Sequence, residues 1–228
     1  MKPRTKLGSG RSPNGMLIEL FEHDGQHEIR ANGVGLMASR MHHSEEELAR
    51  LACVNLRPGA RVMIGGLGIG FSLRAALDLL PPDGKALQVE LMPEVVEWNR
   101  ELIGHHAGHP LDDPRTELVM EDILLAVQRN KGRLSAIMLD CDNGPTPVVD
   151  PSNQRLYTKG GLTALFEALE PGGRLTIWSA EDEPGFPRRL ARVGFCETAR
   201  HRAYARPGNK GSRHWVFAGR KPGRTGPG

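Results

Sequence analysis

Four stretches of the chain end a β-prone run with residue types that could do chemistry. Gly65-Gly66-Leu67-Gly68-Ile69-Gly70 follows the apolar run that starts at Arg61 and precedes a helical stretch. Glycines there allow a tight turn and let a ligand approach backbone N–H groups at a helix N-terminus, although a bare strand-to-helix turn needs the same residues. Glu90 closes the next run about twenty residues later, where a dinucleotide-type site places the carboxylate that accepts from both ribose hydroxyls. Glu121-Asp122-Ile123 offers an acid beside an apolar side chain, suited to an adenine amino group and ring face; Asp122 is equally a helix N-cap. Asp140-Cys141-Asp142-Asn143-Gly144-Pro145 sets two carboxylates at the mouth of a further strand, which is costly unless something positive lies between them. An amine is the natural occupant.

The elements that must position these residues alternate in type. Runs at 61–65, 86–90, 116–120, 135–140 and 174–179 read as strands, and apolar spacing predicts helices near 72–80, 93–103, 123–130 and 160–169 between them. Such alternation implies right-handed βαβ units and a parallel sheet covered on both faces. Ligands bind these sheets outside the carboxyl ends of the strands, where all four stretches fall. Further on, 186–193 reads as a helix, and 195–199 and 214–219 as two runs that pair antiparallel and close the sheet. Upstream, two β-prone runs around Asp24-Gly25 form a short hairpin, and Ser44 with Glu47 three residues on reads as a cap opening a helix. The expected layout is a flexible tail over 1–14, hairpin and helix over 15–58, the α/β domain over 59–221 and a flexible tail over 222–228.

With 228 residues, 39% hydrophobic and 25% charged, the chain suits one domain with an ordinary core, which excludes global disorder. No apolar run approaches the ~20 residues of a membrane span, and the basic start lacks a signal peptide's apolar stretch, so a cytoplasmic, membrane-free protein is expected. Cys53, Cys141 and Cys196 are odd in number and far apart, which argues against a disulfide framework or a zinc site. His42-His43 and His105-His106-x-x-His109 lack a supporting Cys or carboxylate, so no metal is expected. Lys and Arg number 30 against 27 Asp and Glu, yet beyond Phe186 a run of Arg and Lys faces the single acid Glu197. Without interleaved aromatics this basic end reads as solvated faces, and no nucleic-acid partner is expected.

The series VMIGGLGIG, ALQVELMPEVVEWNRE, MEDIL, IMLDCDNGP and RLYTKGGLTALFEALEPGGRLTIWS resembles the spermidine synthase, or polyamine aminopropyltransferase, family from about residue 59 to 180. The resemblance implies a Rossmann-like α/β fold of the class I S-adenosylmethionine (AdoMet) methyltransferase type, a parallel sheet closed by an antiparallel hairpin. It implies that Gly65, Gly66, Gly68 and Glu90 hold the donor nucleoside, with Asp122 and Ile123 in the same site. It implies catalytic roles for Asp140, for Asp142 as a second acid and for Tyr157 in the family's L-[FY]-T-K segment. A homo-oligomer, dimer or larger, is also implied. Two departures stand out: the family's GGGDG loop uses an aspartate on the donor's amine where this chain has Gly68, and its Tyr-His pair has no clear match at Met41-His42-His43-Ser44.

The expected function is transfer of an aminopropyl group from decarboxylated AdoMet to a small amine, with Asp140 orienting or deprotonating that amine. A sulfonium carbon is already electrophilic, so catalysis needs an amine lone pair aligned at about 3–3.5 Å. An alkylamine with a pKa near ~10.4 must first lose a proton, a task for a carboxylate. Two alternatives stand beside this reading. Gly68 suits a methyltransferase using intact AdoMet on a small amine or other nucleophile, which would need a cation near the glycine loop for the donor's carboxylate. A non-catalytic nucleic-acid-binding or scaffold protein would use the basic end, with binding that weakens steeply with salt. Glu181-Asp182-Glu183 either extends the acidic rim or forms a solvated loop, Trp98 and Trp178 read as core or site-wall aromatics, and Cys141 as a packing residue.

Overall fold

Residues 3–141, 144–145 and 154–223 are described in the computed structural model. Four strands, β1 (Thr5–Arg11), β2 (Leu17–His23), β3 (Gln26–Ala31) and β4 (Val34–Ala38), form an antiparallel sheet in that order. The expected hairpin is its centre: His23 pairs with Gln26 across Asp24 and Gly25, whose positive φ angles of 51° and 72° suit a tight two-residue turn. The sheet is larger than one hairpin, and the segment expected as a flexible tail contains β1. That strand, TKLGSGR, has no apolar alternation of its own and is held by its ladder to β2.

Helix α1 (His43–Ala52) follows, with His42 rather than Ser44 at its N-cap position. The Ser cap is therefore corrected: Ser44 lies inside the first turn and is fully buried. Then come β5 (Arg61–Gly65), α2 (Phe71–Leu79), β6 (Lys85–Glu90) and α3 (Pro93–Trp98), which continues as a π-helical turn over Asn99–Ile103 and short 3-10 turns to Asp112. The chain goes on through β7 (Thr116–Met120), α4 (Ile123–Arg129), β8 (Leu134–Leu139), α5 (Gln154–Tyr157), α6 (Lys159–Ala168) and β9 (Leu169–Ser179). It ends with α7 (Phe186–Val193) and the long hairpin β10 (Cys196–Arg206) and β11 (Lys210–Arg220).

The second sheet has the order β10-β11-β9-β8-β5-β6-β7, with β5 to β9 parallel and β11 antiparallel to β9. The parallel sheet closed by an antiparallel hairpin is as expected. Alternate residues of β5 feed opposite cores: Val62 and Ile64 join the one packed by α1, α2 and the N-terminal sheet, while Met63 joins the one packed by α4, α6 and α7. All three are fully buried, each side chain stabilising the fold by about 1.5–3 kcal/mol. Strand order reverses at β5, because β6 and β7 lie on one side and β8 on the other. A crevice for a ligand opens at such a reversal, beyond Gly65 and its partner Leu139. Among the described residues no helix is long and apolar enough to cross a membrane.

Candidate active site

A cavity opens at this reversal, lined from below by strand ends and from above by the N-terminal sheet. Of the residues expected at the site, Gly66, Gly68, Glu90, Asp122, Ile123 and Asp140 line it together. Gly65 lies at the end of β5 behind them, where a Cβ would stand 2.2 Å from Ile123 Cδ1. Tyr157 does not line the cavity. It is 2% exposed in the core beneath, its ring 6.3 Å from that of Phe186. Asp142 lies outside the described residues.

The glycine loop passes tightly over the end of β8. Gly66 has φ +88°, and a Cβ there would lie 2.4 Å from the Asp140 carbonyl oxygen, so no larger residue fits. Next to it, Glu90 accepts three backbone hydrogen bonds: Leu67 N at 2.9 Å on Oε2, and Leu91 N and Met92 N at 2.7 and 2.8 Å on Oε1. Burial raises its proton affinity and the three N–H groups oppose this, with burial the larger effect. Asp122 both caps α4, accepting from Leu124 N at 2.8 Å, and pairs with Arg155 at 2.7 Å. The two readings of Asp122 are thus compatible, since the same side chain borders the cavity.

Asp140 accepts a 2.5 Å hydrogen bond from Ser72 Oγ in the first turn of α2. Burial and then the charge of Glu45 hold its carboxyl well above the usual carboxylate range, against the Ser72 hydrogen bond. Glu45 is the principal site residue that the sequence reading missed. It is 4% exposed, lines the same cavity, and is pushed up to about 7 by burial. Ser44 Oγ donates to Glu45 Oε2 at 2.5 Å and lies 2.9 Å from His214 Nδ1. A hydroxyl has one proton, so the Nδ1–H of His214 donates to Ser44 while Ser44 donates to Glu45. Spacing could have exposed this: Glu45, Leu48, Ala49 and Ala52 share one helical face, all buried.

The wall opposite is apolar, built by Met16, Ile18, Ile29, Leu36 and Met37 of the N-terminal sheet and its approach. Trp178 also lines the cavity, and its buried Nε1 has no hydrogen-bond partner among the described residues. Five carboxylates border the space, from Glu45, Glu90, Glu121, Asp122 and Asp140, with no Lys, Arg or His among the described lining residues. Glu121 is neutralised by Arg129 at 2.6 Å. With Glu121 paired to Arg129 and Asp122 to Arg155, the acids of Glu45, Glu90 and Asp140 face the space without a cationic side chain among the described lining residues, which suits a ligand that brings positive charge and an apolar body.

The acidic stretch after β9 does not extend this rim. Asp182 pairs with Arg200 and Glu183 with Arg189, and neither lines the cavity. On the basic hairpin, the guanidinium groups of Arg200 and Arg202 lie 5.2 and 5.4 Å from the Trp215 ring, an aromatic contact the sequence did not reveal.

Residues 41–184 match the family model for the spermine/spermidine synthase domain. The chain is 34% identical over 125 residues to polyamine aminopropyltransferase 2 of Pseudomonas aeruginosa, covering 53% of this chain and 33% of that protein. It is 31% identical over 117 residues to a polyamine aminopropyltransferase of Saccharolobus islandicus, covering 51% and 38%, and 29% identical over 130 residues to that of Bacillus subtilis, covering 57% and 44%. The matches thus span less than half the length of these relatives. Among solved structures, spermidine synthase from Thermotoga maritima superposes with a TM-score of 0.76 at 22% identity over 95% of this chain and 72% of that one. A spermidine synthase in complex with the transition-state analogue AdoDATO gives 0.78 at 23% identity, over 95% and 73%. These two show a shared fold. With well over half its length matched by the family model, the chain belongs to the spermine/spermidine synthase family.

Proposed function

We propose that this chain transfers an aminopropyl group from decarboxylated AdoMet to the nitrogen of an amine acceptor. One observation carries the reading: the described lining of the cavity presents carboxylates and no cationic side chain. Decarboxylated AdoMet carries a sulfonium and an ammonium but no carboxylate, whereas intact AdoMet brings a carboxylate that would meet Glu45 and Asp140 without a counter-charge.

Glu90 and the glycine loop hold the nucleoside, with Asp122 and Ile123 beside its base. Asp140 takes the proton from the acceptor's ammonium, and the freed lone pair attacks the aminopropyl carbon next to sulfur. The new C–N bond forms as the C–S pair returns to sulfur, so the positive charge passes from sulfonium to secondary ammonium and methylthioadenosine leaves. Glu45 holds positive charge on the acceptor, and the Asp140–Ser72 hydrogen bond fixes the base. Asp142 keeps the family's implied role as part of this proposal, and Tyr157, which lies in the core beneath the cavity, has a supporting one in it. A homo-oligomer belongs to it too, through the N-terminal sheet, whose outer strands expose Leu7 and Val34; light scattering tests it.

A second reading, methyl transfer from AdoMet, draws on the missing aspartate at Gly68. Melting of the full chain with AdoMet, decarboxylated AdoMet, S-adenosylhomocysteine or methylthioadenosine separates the two. A ligand at 100 times its Kd adds about 2.7 kcal/mol, several degrees for a chain of this size. Preference for decarboxylated AdoMet and methylthioadenosine supports aminopropyl transfer; preference for the other pair replaces it with methyl transfer.

A further inference from the structure

We propose that His27, His105 and His106 form a binding site for one divalent transition-metal ion of the zinc type, tying the N-terminal sheet to the segment behind the glycine loop. The sequence alone led to no expected metal because no Cys or carboxylate supports His105, His106 and His109; the fold instead brings His27 to His106, from 79 residues away. One ligating nitrogen from each of the three lies within 4.8 Å of the others. His27 Nδ1 and His106 Nε2 are 2.7 Å apart, a contact that requires one nitrogen to accept and hence one ring to be neutral. Neutral imidazole is the form that binds zinc, copper or nickel.

Zinc–nitrogen bonds of about 2.0–2.1 Å place tetrahedral ligand atoms roughly 3.3–3.4 Å apart. The His27–His106 pair at 2.7 Å must therefore open by about 0.6–0.7 Å to take the ion between them. His105 is exposed and the other two half-buried, so an ion can enter from solvent and water can fill a fourth position. Three neutral ligands leave the ion's charge uncompensated, which favours binding with a water or small anion at that position.

The location gives the site a consequence. His27 shares its strand face with Ile29, which lines the cavity. His106 precedes Ala107, whose Cβ would lie 3.6 Å from a Cβ on Gly70, and Asn99 of the same segment donates to the Gly68 carbonyl at 2.7 Å. An ion held across β3 and this segment braces the two sides of the donor cavity against each other.

The test uses the untagged full chain, stripped with a chelator and titrated with Zn2+ in a calorimeter and with Co2+ in an absorption spectrometer. One ion per chain with micromolar or tighter affinity is expected, with visible Co2+ bands of tetrahedral intensity. His27→Ala and His106→Ala should each weaken Zn2+ binding at least thirty-fold, while His109→Ala leaves it unchanged. Each variant is first melted in chelator; should either lose its fold, exposed His105→Ala replaces it. Absence of stoichiometric binding, or equal affinity in His27→Ala or its replacement, overturns the proposal. The readout is metal affinity, so it is independent of which group the chain transfers.

Discussion

Met37 fills the space in front of Gly68: its Sδ lies 2.6 Å from the point where a Cβ on residue 68 would stand, and it approaches Ile69 N at 3.1 Å. The family's loop aspartate is thus replaced by a glycine and a thioether from another sheet. Gly68 has φ +53°, a conformation that costs most L-residues ~1–2 kcal/mol and Asp less. Gly68→Asp alone should lower stability through a smaller backbone cost and through the clash that displaces Met37. Combined with Met37→Ala, the loss should be less than the sum, because one clash is removed, and the added carboxylate should widen the preference for decarboxylated over intact AdoMet. Melting curves and donor titrations of the two single variants and the double variant check this; strictly additive losses would show that the two positions do not compete for space.

Asp140 and Glu90 should separate catalysis from binding. Asp140→Asn keeps the shape and a hydrogen bond to Ser72 but removes the proposed base, so turnover should fall about 10²–10⁴-fold with methylthioadenosine affinity nearly unchanged. Glu90→Gln leaves an amide NH2 facing one of the N–H groups of Leu67, Leu91 and Met92, and a buried unpaired donor costs about 1–3 kcal/mol. That variant should melt lower and bind nucleoside weakly. Full turnover in Asp140→Asn would remove Asp140 from the mechanism.

Glu45 makes stability depend on pH in a stated direction. Its folded carboxyl titrates at about 7 against an ordinary 4.5, chiefly through burial, so between these values the folded protein holds more protons than the unfolded chain. Stability therefore falls as pH rises through that window, by an amount of order 3 kcal/mol, and levels off above it. Asp140, also raised, pulls the same way, while Glu46 and His43 act on Glu45 with opposite signs. Glu45→Gln should be more stable than the parent at pH 8 and should lose that advantage near pH 5. Melting the pair across pH 5–8 decides; a constant difference would mean Glu45 does not titrate there.

The α/β framework was legible because parallel strands buried on both faces read as short apolar runs, and their carboxyl ends fixed where the glycines and acids would meet. Glu45 was hidden inside Ser44-Glu45-Glu46-Glu47, a run that reads as a solvated first turn until the burial of Leu48, Ala49 and Ala52 marks its face. β1 was hidden for another reason. Its glycines are set by contact: a Cβ at Gly8 would lie 2.6 Å from Trp98 Nε1, and one at Gly10 2.4 Å from Glu94 Cδ, so α3 packs on what reads as linker composition. The approach of His27 to His106 depends on the placement of one sheet on another, which no local pattern encodes.

Asp122 caps α4, and a second role on the donor's adenine, which one substitution cannot separate from the cap, is separable with two. Asp122→Ala removes the cap on Leu124 N and the pair with Arg155, whose side chain is 60% exposed. The cap is worth ~1 kcal/mol and the exposed pair ~0.2–1 kcal/mol, so this variant should melt several degrees lower whatever the ligand does. Asp122→Asn keeps an oxygen for the cap, because Asn caps as well as Asp, yet loses the charge and one acceptor facing the cavity. If Asp122 accepts from the donor's adenine, Asp122→Asn, which loses only the exposed Arg155 pair, should melt no more than about four degrees below the parent while methylthioadenosine binds about 5–10-fold more weakly, the effect of one hydrogen bond. Calorimetric titration beside melting measures both quantities on one sample. Parent-like affinity in Asp122→Asn would leave the residue as the cap of α4, and the adenine would then be held by Ile123 and the cavity's apolar wall.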